Sequence, residues 1–129
     1  MAVFIWNEKF SVGMKSMDDQ HKYFLNLLNN LDDEIQRKNG DETVHTAINS
    51  LSAYGMLHFR AEEKILFTCG YPETEHQRQE HSFFVMQVKE MEASYLDGNL
   101  SRLGSIASFL RDWFINHITV EDKKYATFI

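Results

Sequence analysis

Several polar residues of this chain stand on helical stripes that are otherwise apolar. The stripes carry leucine, isoleucine, valine and phenylalanine at every third or fourth position, the spacing of one helix face. Buried without a partner, each polar side chain would cost on the order of several kcal/mol. A shared metal ion would satisfy them together, because imidazole nitrogens and carboxylate oxygens are common metal ligands. The residues that predict such a centre are His21, His58, Glu62, His81 and His117.

Four helical segments must position these side chains. Their periodicity places them at about residues 18–39, 41–69, 72–97 and 100–127. Asp18 can cap the first segment, Asn39-Gly40 supplies its stop, and Pro72 fits the first turn of the third. Because the connecting loops contain only a few residues, the segments predict an all-α fold, an antiparallel up-down-up-down four-helix bundle.

The beginning of the chain lacks this periodicity. Residues 1–17 contain Trp6, Phe10 and Val12 in an irregular setting, and we expect them to form an N-terminal arm that lies across the bundle. Arm and helices together make residues 1–129 a single domain, which is long enough to bury a hydrophobic core.

The charge and cysteine content argue against several classes of function. The 13 basic and 19 acidic residues give a formal net charge of −6, which argues against nucleic acid or an anionic membrane as the main partner. The single cysteine, Cys69, excludes an intramolecular disulfide, and we expect a buried or half-buried inert thiol. We find no targeting segment and no run of about 18 apolar residues, so we predict a cytoplasmic protein.

The topology of such a bundle tests whether the polar residues can meet. In an antiparallel bundle, the start of the first helix, the end of the second, the start of the third and the end of the fourth all lie at the same end. At about 1.5 Å per residue, the candidates on the second and third helices lie roughly 6 to 16 Å from this common end. The residues that share it are His21, His58, Glu62, His76, His81, His117 and Asp122. His45 lies near the start of the second helix, at the opposite end, and is interpreted as a solvated side chain.

The number of candidate ligands indicates which metal they would hold. Zinc takes about four ligands and often includes sulfur, so five imidazoles and two carboxylates are too many for one zinc ion. Imidazole together with carboxylate suits iron or manganese. Two octahedral ions that share the carboxylates and a bridging oxygen would use every candidate. They would leave one open position, where a small diatomic molecule could bind.

The ordered set of motifs resembles the hemerythrin family, specifically its single-domain bacterial members. The resemblance covers nearly the whole chain, and the complete set is far more specific than a histidine and a glutamate four residues apart. It consists of Trp6, Phe10, Val12 and Gly13 in the arm, DDQH ending at His21, HFRAEE from His58 to Glu63, Gly70-Tyr71-Pro72, the segment from His76 to His81, Arg111-Asp112-Trp113, His117-Ile118 and Asp122.

The resemblance implies a cofactor, an activity and a ligand set. The cofactor is a pair of iron ions, a non-haem di-iron centre with an oxo or hydroxo bridge, and the activity is reversible dioxygen binding. The terminal iron ligands would be His21, His58, His76, His81 and His117, and the bridging ligands Glu62 and Asp122. An apolar ligand pocket would include Leu25, Phe59, Trp113 and Ile118.

The fourth helix carries two expected ligands that would not lie on the same face of a regular helix. His117 and Asp122 are five residues apart, as in the family, although five residues rotate an α-helix by about 140°. Regular geometry would select Glu121 instead. We follow the family in choosing Asp122 and expect a locally loosened turn there.

The third helix departs from the family pattern. The family has two histidines four residues apart, but His76 and His81 are five apart, and Gln77 shares the face of His81 on a regular helix. We favour His76 as a ligand, brought in by a π-bulge or a shifted helix start. In the alternative, Gln77 or solvent takes the fifth position.

The predicted centre is compatible with several functions. We expect reversible dioxygen binding for oxygen transport, storage or sensing, and thus a binding protein rather than an enzyme. The alternatives are a di-iron enzyme with peroxidase or ferroxidase-type activity and a redox- or iron-sensing module. No titratable group beyond the ligands is evident as a proton donor, since Tyr54 and Tyr125 are interpreted as packing residues. Dioxygen is the expected partner, and an electron donor or oxygen-consuming protein stays unidentified.

Overall fold

The computed structural model describes residues 5–37 and 41–129, with the side chain of Asp41 excepted. The helices are α1 (Lys15–Arg37), α2 (Asp41–Cys69), α3 (Thr74–Leu96), α4 (Leu100–His117) and α5 (Lys123–Phe128), with a 3-10 turn at Glu8–Phe10 and a π-helical turn at Ile118–Asp122. No strand occurs in the described ranges, and the predicted all-α fold is confirmed. Residues 1–4 of the expected arm and the Asn39-Gly40 stop lie outside the described residues.

Neighbouring antiparallel helices form the bundle. α1 packs against α2 and α4, and α3 packs against the same two helices from the other side, which confirms the predicted up-down-up-down arrangement. Each helix turns its apolar stripe inward, and Phe24, Leu28, Phe84 and Leu110 lie together in the core. Within the described ranges, none of the helices has both the length and the apolar character needed to cross a membrane.

A glycine in the left-handed region ends α2 and turns the chain towards α3. Gly70 has a φ of 72°, and Tyr71 N donates to Leu66 O at 3.0 Å. α3 begins at Thr74, two residues later than predicted, and the Thr74 hydroxyl donates to Tyr71 O at 2.7 Å. Cys69 is exposed, so the expectation of a buried or half-buried thiol is wrong.

The described part of the arm is tied to α1 by Asp18. Its carboxylate accepts hydrogen bonds from Val12 N at 2.8 Å and from the Ser11 hydroxyl at 2.5 Å. Because α1 begins at Lys15, Asp18 lies within the first turn and does not cap the helix as the sequence predicts. Phe10 and Val12 are buried, so these hydrogen bonds seat the arm against the helices.

α4 is followed by a turn that is not a regular α-helix. The chain adopts π-helical geometry over Ile118–Asp122 before α5 resumes at Lys123. A π turn holds more residues than an α turn, so it changes which residues face the core. The loosened turn expected at this place is present, and Asp122 is fully buried.

Candidate metal centre

One end of the bundle collects most of the polar residues that the sequence singles out. The buried members are His21 on α1, His58 and Glu62 on α2, His81 on α3, His117 on α4 and Asp122 in the π turn, and each is at most 2% exposed. His45 lies apart near the start of α2, where its ring stacks on Tyr95 with 5.0 Å between ring centroids. The bundle therefore brings together residues from all four long helices.

The buried cluster contains two groups of ligand atoms that share Glu62. His21, His58 and Glu62 each offer an atom within 4.8 Å of the others, and we call this group the first ion position. Glu62, His81 and His117 do the same within the same limit, and we call this group the second ion position. One carboxylate thus belongs to two three-residue groups.

Both buried carboxylates present one oxygen to each ion position. Glu62 Oε2 lies 3.2 Å from His21 Nε2, and Glu62 Oε1 lies 3.0 Å from His81 Nε2. Asp122 Oδ2 lies 3.3 Å from His21 Nε2, and Asp122 Oδ1 lies 3.2 Å from His117 Nε2. Ligands at right angles around an octahedral ion, each roughly 2.1 Å from it, lie about 3 Å apart. The spacing therefore fits two ions bridged by Glu62 and Asp122.

Several ligand atoms at these positions make no hydrogen bond. They are Glu62 Oε1, His81 Nε2, His117 Nε2 and Asp122 Oδ2, and all are buried. Buried polar atoms are nearly always paired, because an unpaired one costs free energy. Imidazole nitrogen and carboxylate oxygen together suit an iron ion. The unpaired nitrogen and oxygen atoms of the site are therefore suitable ligands for iron.

Glu62 and Asp122 place two negative charges in the interior, and neighbouring histidines compensate them. Burial raises the pKa of Glu62, but the histidines outweigh burial and hold this pKa well below its ordinary value. Burial lowers the pKa of His21, but the adjacent carboxylates of Asp122 and Glu62 outweigh it and raise the pKa to about 10. Burial also lowers the pKa of His81, but the neighbouring carboxylates of Glu62 and Glu63 outweigh it and raise the pKa to about 9. A bound cation would compete with these protons for the same atoms.

Three of the histidines are held through Nδ1 by a residue of the preceding helix. The pairs are His58 Nδ1 with Gln20 Oε1 at 2.7 Å, His81 Nδ1 with Glu63 Oε2 at 2.7 Å, and His117 Nδ1 with Glu80 Oε1 at 3.4 Å. An Nδ1–H that donates to oxygen leaves Nε2 for the ion position and fixes the ring orientation. Burial lowers the pKa of His58 to about 4, so its ring is neutral at neutral pH.

The sequence analysis missed these orienting residues. Gln20 precedes His21, Glu63 follows Glu62, and Glu80 precedes His81. Each is thus adjacent in sequence to one predicted ligand, yet it binds the histidine of the next helix along the chain. Adjacency to a predicted ligand is the signal that could have found them.

Tyr125 also has a role beyond packing. Its hydroxyl donates to Glu62 Oε2 at 2.7 Å, and the side chain is fully buried. Burial, Glu62 and Asp122 together raise the pKa of Tyr125 far above its ordinary value. The phenol therefore keeps its proton and stabilises the carboxylate of Glu62.

Aromatic rings cover the histidines on the side of the bundle core. The Phe59 ring stacks on His81 with 4.0 Å between centroids, and the Trp113 ring stacks on His117 with 4.7 Å between centroids. Both residues belong to the predicted ligand pocket. Its other members, Leu25 and Ile118, are buried in the same hydrophobic core. Two further rings that the sequence analysis did not single out for the pocket are Phe24, edge-on to His58, and Phe114, edge-on to His21.

The structure does not bring His76 to the cluster. α3 is regular from Thr74 to Leu96, so the five-residue spacing turns His76 away from the face of His81. The His76 side chain is 46% exposed, and its Nε2 lies 3.2 Å from Glu121 Oε2. Gln77 is buried instead, with its Nε2 donating to Asp122 Oδ1 at 3.0 Å. Of the two neighbouring residues, Gln77 is therefore the one whose side chain lies in the buried cluster.

Fold and site together define a class of protein. A four-helix bundle that presents two histidine groups on either side of two shared carboxylates is a non-haem dinuclear metal protein. The family model described as the hemerythrin HHE cation binding domain matches residues 12–129. The chain therefore belongs to the hemerythrin family, as the resemblance implied, and its cofactor is the di-iron centre of that family.

Individual relatives agree over nearly the whole length of the chain. A bacteriohemerythrin of Methylococcus capsulatus is 29% identical over 126 residues, which cover 97% of this chain and 95% of the relative. A bacteriohemerythrin of Stenotrophomonas maltophilia is 28% identical, with 98% and 81% covered. The crystal structure of a wild-type hemerythrin superposes with a TM-score of 0.87 at 26% identity and covers 98% of this chain and 97% of that one.

Proposed function

We propose that the protein binds dioxygen reversibly at a di-iron centre held by His21, His58, Glu62, His81, His117 and Asp122. The observation that carries the proposal is the position of the two buried carboxylates. In each carboxylate, one oxygen lies within about 3 Å of an imidazole nitrogen at the first ion position, and the other oxygen does the same at the second. Two bridged octahedral ions require this arrangement. Two ferrous ions held by these residues would supply the two electrons that reduce bound dioxygen to the peroxide level and would recover them on release.

The side chains around the site favour reversible binding of dioxygen. Glu62 and Asp122 fix the separation of the two positions, and hydrogen bonds at Nδ1 hold the imidazoles in place. The rings of Phe59 and Trp113 lie against the histidines and keep water from the buried site. Dry, apolar surroundings slow the irreversible oxidation that water and protons promote.

A binding protein is favoured over an enzyme by the state of Tyr125. Turnover of peroxide or oxidation of iron needs a group that gives up a proton, and the phenol of Tyr125 contacts the bridging Glu62. That phenol proton is already donated to the Glu62 carboxylate at 2.7 Å, so it is not free to be given to a substrate. Oxygen transport or storage in the cytoplasm agrees with this assignment, since the exposed thiol of Cys69 suits a reducing compartment.

Anaerobic reconstitution with ferrous ion tests the proposal. We expect two irons per chain and a visible charge-transfer band that appears with dioxygen and disappears when dioxygen is removed. His58→Ala should abolish the band, while His45→Ala, a matched change at the opposite end of the bundle, should leave it intact. Uptake of one metal, or of zinc alone, would contradict the di-iron centre, and rapid conversion to a stable diferric form with peroxide consumed would favour the enzyme.

A further inference from the structure

A buried amide stands beside the second ion position and is not explained by the ligands described so far. Gln77 on α3 is 1% exposed, and its Nε2 donates to Asp122 Oδ1 at 3.0 Å. The same Asp122 oxygen lies 3.2 Å from His117 Nε2. The amide group is therefore held against the second position and not the first.

The other end of this amide has no partner. Gln77 Oε1 is buried and makes no hydrogen bond, as is true of His81 Nε2 and His117 Nε2 at the same position. An amide oxygen is a good acceptor, so leaving it unpaired in the interior costs free energy. Side-chain amide oxygens serve as neutral ligands of divalent cations. The unpaired oxygen thus has the chemistry of the neighbouring ligand atoms.

Helix geometry accounts for the choice of this residue. Gln77 lies four residues before His81 on a regular helix, so the two side chains share one face. The neighbouring His76 points to the surface, where it pairs with Glu121. An imidazole is therefore present in the sequence at this level of the bundle, but the buried position is filled by an amide.

We propose that Gln77 is a ligand of the second ion, binding through Oε1 while Nε2 keeps its hydrogen bond to Asp122. This proposal rests on the proposed di-iron function and makes the two positions chemically unequal. The first position takes imidazole nitrogens from His21 and His58, and the second takes imidazole nitrogens and one neutral oxygen. Because an amide oxygen is a weaker donor than imidazole, the second ion binds less tightly than it would with a histidine at residue 77.

The test is an anaerobic titration of the metal-free protein with ferrous ion, followed by metal analysis. Wild type should take up two ions. Gln77→Leu, which keeps the approximate volume but has no ligand atom, should weaken uptake of the second ion about 10- to 100-fold and leave the first unchanged. Gln77→Glu, which restores an oxygen at the same place, should recover the second ion. His76→Ala is the matched control and should bind both ions as wild type does.

Two results would overturn the proposal. One is wild-type uptake of the second ion by Gln77→Leu, and the other is loss of that ion in His76→Ala. Uptake of fewer than two ions by the wild type would instead count against the di-iron function itself, so the two failures are distinguishable. Should the leucine variant fail to fold, Gln77→His provides a second test: it should bind the second ion more tightly than wild type, and unchanged binding would overturn the proposal.

Mössbauer spectra of the iron-57 protein separate ligation from an effect passed through Asp122. If Gln77 is a ligand, Gln77→His should change the signal of one iron and leave the other unchanged. Equal changes in both signals would show that residue 77 acts only through the shared carboxylate, and the proposal would then be wrong.

Discussion

Two helices of this protein carry candidate ligands five residues apart, and they place them differently. On α3 the pair is His76 and His81, and on α4 with its π turn the pair is His117 and Asp122. α3 stays regular, so His76 is exposed while His81 is buried. The π turn after α4 carries Asp122 to within 3.2 Å of His117 Nε2. The same spacing therefore leads to opposite outcomes, because the local helix geometry decides which face a residue occupies.

The two outcomes are linked by direct contacts between the helices. On the inner side Gln77 donates to Asp122, and on the outer side His76 lies 3.2 Å from Glu121. α3 and the π turn thus each contribute two consecutive residues, of which one is buried in the cluster and the other is more exposed. The buried residues contact each other, and so do the more exposed ones. A bulge in α3 that moved His76 inward would have to break both contacts.

The largest expected effect comes from breaking the buried member of the α4 pair. Asp122→Ala removes one carboxylate oxygen from each ion position. We expect iron affinity to fall by more than about 100-fold, because loss of a residue that only orients a ligand already costs about 10- to 100-fold. Anaerobic iron titration and metal analysis measure it. Glu121→Ala is the matched control and should bind iron normally, because its partners His76 and Lys124 lie at the surface. Iron loss in Glu121→Ala with retention in Asp122→Ala would mean that α4 is regular in solution.

A pH series sharpens the contrast between the buried and the exposed histidine of α3. The pKa of His81 is raised from 6.5 to about 9 and that of His21 from 6.5 to about 10, in both cases by carboxylates that outweigh burial. Both folded-state values exceed the unfolded ones, so this stabilisation is fully present below pH 6.5 and is lost as pH rises through about 9 and 10. The melting temperature of the chelator-treated protein should therefore fall across this window.

Variants of α3 identify the source of that pH dependence. His81→Asn should flatten the decrease in melting temperature between pH 7 and 9, whereas His76→Ala should leave it unchanged, because its exposed side chain lies outside the buried cluster. Circular dichroism at each pH provides the melting temperatures. A melting temperature that stays constant or rises over this range would contradict the charge assignment.

The smallest expected effect concerns the π turn itself. The Thr119 hydroxyl donates to Ile115 O at 2.8 Å and lies 3.2 Å from Asn116 O, and both carbonyls belong to the last turn before the π geometry. Thr119→Val keeps the shape of the side chain but removes these bonds, so we expect a loss of about 1 kcal/mol in the free energy of unfolding. Urea denaturation measures this loss.

A matched variant shows whether the loss of stability is specific to the π turn or follows from removing any threonine hydroxyl. The Thr127 hydroxyl makes the same kind of bond to Lys124 O at 2.8 Å, but Thr127 is exposed near the end of α5. Thr127→Val should cost less than Thr119→Val and should leave iron binding unchanged. Equal losses in both variants would show that the hydroxyl gives the π turn no special support.

Much of the fold could be predicted because periodicity and short loops leave few alternatives. The apolar stripes define four amphipathic helices, and antiparallel connection brings the start of α1 and the end of α2 to one end of the bundle. Helix boundaries were less predictable. α1 begins at Lys15, three residues before the expected cap, and the carboxylate of Asp18 binds the arm instead of capping the helix.

The candidate site was predictable where a ligand lies on a regular helix. His21, His58, Glu62, His81 and His117 are all at stripe positions, and all are buried together. The orienting residues were not predictable in the same way, because each acts on another helix. Gln20 is next to His21 in sequence but binds His58, and only packing of α1 against α2 joins them.

The sequence by itself determined which residue types are available at each level of the bundle. It placed histidine and glutamine side by side at residues 76 and 77, and glutamate and aspartate side by side at 121 and 122. Tertiary structure decided which member of each pair faces the interior. The physical reason is that α and π geometry turn different residues towards the core, and contacts between helices, such as that between Asp122 and His117, determine which geometry a segment adopts.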